Sequence, residues 1–148
     1  MDYEELKLSN QICFPVYAAS RLITKEYQPH LDQFGITYPQ YLVLLILWET
    51  NPIPVNDIAK KMILNTNTVT PLLKRMETQG WIRREKHDSD ERKVWIHLTE
   101  KGIAFKQEAA KIPELLLNAL ITDSTELDRL LELRDQLNQV IEVLINKK

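Results

Sequence analysis

The hydrophobic and polar positions of this chain alternate at helical spacing over most of its length, with one interruption. Val55, Ile58, Ala59 and Met62 fall on a single helical face, and after a short turn Leu72, Leu73 and Met76 repeat that spacing. Asn65-Thr66-Asn67-Thr68-Val69-Thr70 gives the second helix a polar, hydroxyl-rich start. Gly80 closes it, because glycine accepts the left-handed backbone of a helix C-cap at little steric cost. The period then shortens. Trp81–Lys86 and Lys93–Leu98 are short runs rich in β-branched and aromatic residues, flanking a turn-forming tip, His87-Asp88-Ser89-Asp90-Glu91-Arg92. Helix, turn, helix and hairpin together predict a winged helix-turn-helix, whose second helix enters a DNA major groove. A solvated hairpin beside an ordinary helix pair is the plainer alternative.

The same spacing organises the flanks. Ile12, Val16, Ala19, Ile23 and Tyr27 share a broad face within Leu6–Leu31. Proline is cheap only in the first helical turn, so Pro15 requires either a start near Gln11–Phe14 or a bend. The former places Cys13 at a helix N-terminus, where the dipole favours a thiolate. Phe34-Gly35-Ile36 breaks the pattern, and Thr37-Tyr38-Pro39-Gln40 reads as a capping box opening the apolar helix Tyr41–Thr50. Asn51-Pro52 ends that helix. Thr99 caps a further helix toward Lys111, Pro113 interrupts or restarts it, and Asp123 with Glu126 opens the last one. There Leu127, Leu130, Leu137, Ile141 and Leu144 form a stripe widened by Leu131, Val140 and Ile145 and broken by Arg134. Such a stripe calls for a partner helix, from the first helix or from another subunit. A twofold dimer would set two recognition helices about one DNA turn apart, matching a palindromic site.

Composition narrows the function classes. The chain has 148 residues, 44% hydrophobic and 27% charged, as in an ordinary globular protein. No apolar run reaches the roughly 20 residues that span a bilayer, and the N-terminus carries no signal-peptide pattern, so no membrane partner is expected. A single cysteine makes no internal disulfide and suggests a cytoplasmic setting. The net charge of −2 conceals an asymmetry. Val55–Lys101 carries ten Lys/Arg against seven Asp/Glu, a net +3, while the remainder carries nine against fourteen, a net −5. The basic excess coincides with the helix-turn-helix and wing.

His30, His87 and His97 lie on three elements without ligand spacing, and the three glycines form no phosphate-cradling loop. No metal or cofactor site and no catalytic set is legible. Cys13 remains, with Tyr17 one helical turn on; an inert core cysteine beside core tyrosines is the plainer reading.

The segments Tyr38-Pro39-Gln40-Tyr41-Leu42, Leu72-Leu73-Lys74-Arg75-Met76-Glu77, Asp90-Glu91-Arg92 and Leu98-Thr99-Glu100-Lys101-Gly102 resemble the MarR family of winged-helix transcription regulators. Asn10-Gln11-Ile12-Cys13-Phe14, with Tyr17 and Tyr27, resembles its organic-hydroperoxide-resistance (OhrR) branch. That resemblance implies a mainly α fold with a β-hairpin wing, one MarR-type domain over residues 1–148. Residues 1–36 and 112–148 would supply dimerisation helices, and 37–111 the winged helix-turn-helix. It implies a non-enzymatic homodimeric repressor of double-stranded DNA. Thr66, Asn67, Thr68 and Thr70 would meet the major groove or its phosphates, with Lys74 and Arg75 further along the helix. Arg92, braced by Asp90, would enter the minor groove. Cys13 would be the sensing thiol, its thiolate held by Tyr17 and Tyr27, the latter from either subunit. Pro15 departs from the branch pattern, and Asn65 stands where relatives often have Asp but can still cap the recognition helix. Without a second cysteine, oxidised Cys13 could take up a low-molecular-weight thiol, form a sulfenamide or overoxidise. Three rivals stay open, the first two being a regulator that answers to a small aromatic ligand and a thiol peroxidase acting through Cys13. A pure dimerisation module is the third.

Overall fold

Left-handed residues end three of the helices, at Gly35, Ile63 and Gly80. The computed structural model describes residues 3–87, 90–121 and 124–147, without the side chains of residues 87, 90–92, 124 and 125. Two 3-10 turns, Glu4–Leu6 and Leu8–Asn10, precede α1 (Cys13–Asp32). Of the two arrangements that Pro15 allows, the helix takes the start within Gln11–Phe14, and Pro15 falls in the first turn of α1, where its missing N–H costs nothing. Gly35, at φ +66°, ends that helix: its N–H bonds to Asp32 O, and that of Ile36 to Leu31 O.

Helix α2 (Tyr38–Glu49) begins at the expected cap, the Gln40 Oε1 accepting the Thr37 backbone N–H at 2.9 Å. Gln40 is only 3% exposed, and its amide donates to Gln79 Oε1 at 2.9 Å. Gln79 in turn donates to Gly35 O at 3.2 Å. A polar group buried this deeply is tolerated because both ends of its amide are satisfied.

After α2 comes a two-residue strand that the sequence pattern does not announce, β1 (Ile53–Pro54). Then follow α3 (Val55–Lys61), α4 (Thr66–Thr78), β2 (Ile82–His87) and β3 (Asp90–Leu98). The antiparallel sheet runs β1-β3-β2, with Ile53 opposite Ile96 and Arg84 also opposite Ile96 from the other side. Pro54 sits on an edge strand, where it lacks no ladder donor.

Helices α3 and α4 end alike. Ile63 N–H bonds to Lys60 O and Leu64 N–H to Ala59 O, as Gly80 N–H bonds to Glu77 O and Trp81 N–H to Met76 O. Gly80 does this at φ +77°, but Ile63 takes the same left-handed position, φ 56°, with a β-branched side chain. The core beneath is continuous: Leu44, Leu47, Ile58, Val69, Leu73, Met76, Ile82 and Ile96 are all essentially sealed.

Helix α5 (Glu100–Ala109) starts at Thr99, whose Oγ1 accepts the Gly102 N–H at 3.2 Å and donates to Gly80 O at 2.7 Å. Phe105 stacks with Phe34, Trp48 and Trp81 at centroid distances of 4.5, 5.8 and 5.3 Å. Helix α6 (Ile112–Leu120) takes Pro113 into its first turn.

The chain divides into two compact units, residues 1–112 and 113–148. The second contains most of α6 and α7 (Ser124–Asn146). The expected cap Asp123 lies outside the described residues. Along α7 the stripe residues Leu131, Val140, Ile141, Leu144 and Ile145 are exposed, whereas Leu127, Leu130 and Leu137 are half-buried. Arg134, at its break, pairs with the adjacent Asp135. Among the described residues, no helix is long and apolar enough to cross a membrane.

Candidate nucleic-acid interface and thiol site

Val69, Leu72, Leu73 and Met76 anchor one face of α4 in the core. At 3.6 residues per turn the opposite face carries Asn67, Pro71, Lys74 and Thr78. Asn67 and Lys74 are exposed, as are Thr66, Thr68 and Arg75 on the flanks. Thr70 is half-buried, and its hydroxyl donates to Thr66 O at 2.8 Å, so that proton is already committed to the helix. Asn65 stands at the N-cap with extended backbone, but its side chain makes no capping bond. Its carbonyl instead accepts from the N–H groups of Thr68 and Val69.

At the hairpin tip, Asp88 and Ser89 lie outside the described residues, as do the side chains of Asp90 and Arg92. Lower on the hairpin, two basic residues that the pattern did not single out come close to α4. Arg84 of β2 and Lys93 of β3 line a cleft of about 230 Å³ with Asn56, Thr66 and Thr70. Glu77 of α4 accepts the Arg84 backbone N–H at 2.9 Å, and its carboxylate stands 3.7 Å from the Arg84 guanidinium. Strand alternation was the available signal: Arg83 and Glu85 point the other way, where Glu85 pairs with Arg83 and His97.

Cys13 is the first residue of α1 and is exposed. One turn on, Tyr17 is 58% exposed, with the Arg21 guanidinium 5.5 Å from its ring centre. Tyr27 is elsewhere. Fourteen residues of helix separate it from Cys13, about 21 Å along the axis, so within one chain it cannot reach the thiol. It packs against Tyr38 and Tyr41, at centroid distances of 4.8 and 5.8 Å. Burial, reinforced by those two phenols, pushes its pKa up to about 12, so it stays a hydrogen-bond donor.

Residues 36–94, the span from the end of the first loop to the middle of β3, match the model of the MarR family. Over 145 residues the chain is 43% identical to the organic hydroperoxide resistance transcriptional regulator of Bacillus subtilis, covering 98% of this chain and 97% of that protein. The chain belongs to the MarR family. As a MarR-family transcriptional regulator, it aligns over nearly its full length with solved relatives. Reduced AbfR bound to DNA, AbfR being a Staphylococcus epidermidis protein, superposes with a TM-score of 0.78 at 42% identity, covering 99% of this chain and 100% of that one. Overoxidised AbfR bound to DNA gives a TM-score of 0.73 at 41% identity, covering 98% and 100%. The expected mainly α fold with a small β-hairpin wing is the one observed.

Proposed function

We propose that this MarR-family regulator is a homodimeric, DNA-binding repressor released from a palindromic operator when an organic hydroperoxide oxidises Cys13. The observation that carries the reading is the placement of Cys13: exposed, at the first position of a 20-residue helix, in a chain 43% identical to a hydroperoxide-resistance regulator.

The DNA-binding surface is the outer face of α4, with Asn67 and Thr68 toward the bases, Thr66 and Thr70 toward phosphates, and Lys74 and Arg75 along the backbone. Arg92, braced by Asp90, reads the minor groove from the wing. Dimerisation covers the exposed stripe of α7 and the exposed first half of α1, where Phe14 is 41% exposed and Val16 51%. An antiparallel or crossed pair of α1 helices would bring Tyr27 of a second copy to Cys13, completing with Tyr17 a phenol pair that donates to the thiolate.

The chemistry balances without a second cysteine. The thiolate sulfur attacks the peroxide, the O–O bond breaks, sulfur becomes a sulfenic acid, and the alkoxide leaves as alcohol on taking up a proton. A low-molecular-weight thiol then displaces the hydroxyl as water and leaves a mixed disulfide. An overoxidised relative has been captured on DNA, so we assign release to the bulk of the disulfide adduct rather than to oxygen added on sulfur.

A gel shift on the DNA upstream of the protein's own coding sequence, with hydroperoxide and a small thiol, tests this directly. Cys13→Ser should bind as the parent does and ignore the oxidant; a variant that still releases DNA removes Cys13 from the mechanism. Catalytic turnover of peroxide would instead favour a thiol peroxidase.

A second reading rests on a cleft of about 400 Å³ lined by Arg21, Thr24, Lys25, Gln28, Asp32 and Tyr38. Two cations against one carboxylate, with a phenol, suit a small aromatic acid. Release of DNA by such an acid from the Cys13→Ser variant would favour this reading.

A further inference from the structure

The geometry points to the cleft between α4 and the wing as a seat for one DNA backbone phosphate, held by Arg84 and Lys93. The inference rests on the DNA-binding reading and adds two residues to it.

A recognition helix in the major groove and a wing in the adjacent minor groove straddle a sugar–phosphate strand, since that strand is what separates the two grooves. The strand must cross the protein surface between helix and hairpin. The cleft lies there, bounded by Thr66 and Thr70 of α4, Asn56 at the start of α3, and Arg84 and Lys93 of the hairpin.

Its chemistry is that of a phosphate seat. Arg84 is half-buried, and its side chain is 22% exposed, which leaves part of the guanidinium open to the cleft. Lys93 is exposed on the opposite strand. The Thr66 hydroxyl lies 3.4 Å from the Asn56 side-chain oxygen, a long contact that a better acceptor could replace. Among the described residues, Glu77 brings a carboxylate to 3.7 Å from Arg84. It also holds the Arg84 backbone, so it fixes where the guanidinium stands while leaving a cation surplus with Lys93. A guanidinium held in place can give a phosphate two parallel hydrogen bonds.

The experiment is the salt dependence of binding by the intact protein, measured by fluorescence anisotropy on two duplexes, one of mixed sequence and one from its own upstream DNA. Each phosphate contact contributes about 0.9 to the slope of log K against log salt. Arg84→Ala and Lys93→Ala should each lower that slope by about this amount, on both duplexes alike, and Arg84→Lys should largely retain it. Thermal melts establish that each variant is folded, and Lys93, being exposed, supplies a variant that does not disturb the core. Unchanged slopes for folded Arg84→Ala and Lys93→Ala, with a lowered slope for Lys74→Ala, would overturn the cleft assignment alone. Loss of binding confined to the upstream duplex would mean base readout and overturn it too. Failure of the parent protein to bind either duplex would overturn the DNA-binding reading itself.

Discussion

The indole N–H of Trp48 donates to the carbonyl oxygen of Gly102 across 2.9 Å, tying the central helix α2 to the first turn of α5. On its other side Gly102 meets the start of the hairpin and Leu98 so closely that a side chain does not fit. A Cβ on Gly102 would stand 2.5 Å from the Trp81 carbonyl oxygen and 2.9 Å from Leu98 Cδ2. Gly102→Ala should therefore destabilise the protein by about 1–3 kcal/mol, as overpacking does, seen as a lower urea midpoint. An unchanged midpoint would show that α5 can shift away freely.

Ile63 carries a left-handed backbone in the turn of the helix-turn-helix. That conformation costs a side-chain-bearing residue about 1–2 kcal/mol, and glycine's greater freedom in the unfolded chain returns part of this. Ile63→Gly should raise stability by about 1 kcal/mol, a rise of a few degrees in Tm. A fall in Tm would mean that the exposed isoleucine side chain contributes packing that outweighs the strain.

The Gln40–Gln79 pair closes the loop between α1 and α2 onto the end of α4. Gln79→Ala leaves the buried Gln40 amide without its acceptor, at a cost of about 1–3 kcal/mol. The double variant Gln40→Leu/Gln79→Ala should lose less than the two single losses combined, which denaturant unfolding of the four proteins in the cycle would measure.

Tyr27 holds its proton to about pH 12 in the folded chain, whereas an unfolded tyrosine loses it near pH 10. Between those values the unfolded state binds fewer protons, so stability is complete below pH 10 and falls as pH rises toward 12. Tyr38 and Tyr41, also raised by burial, act in the same direction. Urea midpoints at pH 9 and pH 11 should differ less in Tyr27→Phe than in the parent. An equal drop in both proteins would place the alkaline instability elsewhere.

Ile141 and Leu144 lie on the exposed stripe of α7. Under the dimeric reading, Ile141→Asp with Leu144→Asp buries two charges in the interface and should shift sedimentation toward monomer while weakening DNA binding. A variant that sediments as the parent does would exclude this face from the dimer contact.

Much of this protein is set by short-range rules that a single chain displays. Pro15 and Gly35 bound α1, Thr37 with Gln40 opens α2, Thr99 opens α5, and Gly80 ends α4, because each acts on backbone groups within a few residues. The core face of α4 follows from the spacing of Val69, Leu72, Leu73 and Met76. What needed the tertiary structure is whatever joins distant segments. Strand β1 exists only because β3 supplies its partner, and a two-residue run carries no period of its own. The cleft residue Arg84 owes its position to Glu77 across the helix–hairpin junction; strand alternation puts Arg83 and Arg84 on opposite faces, but only the packing shows that the Arg84 face meets α4. The three residues of the proposed sensor divide on the same ground. Cys13 and Tyr17 are one turn apart and legible as neighbours, whereas Tyr27 lies about 21 Å further along the same helix. A straight helix cannot fold back on itself, so only packing between helices can bring that tyrosine to a thiol.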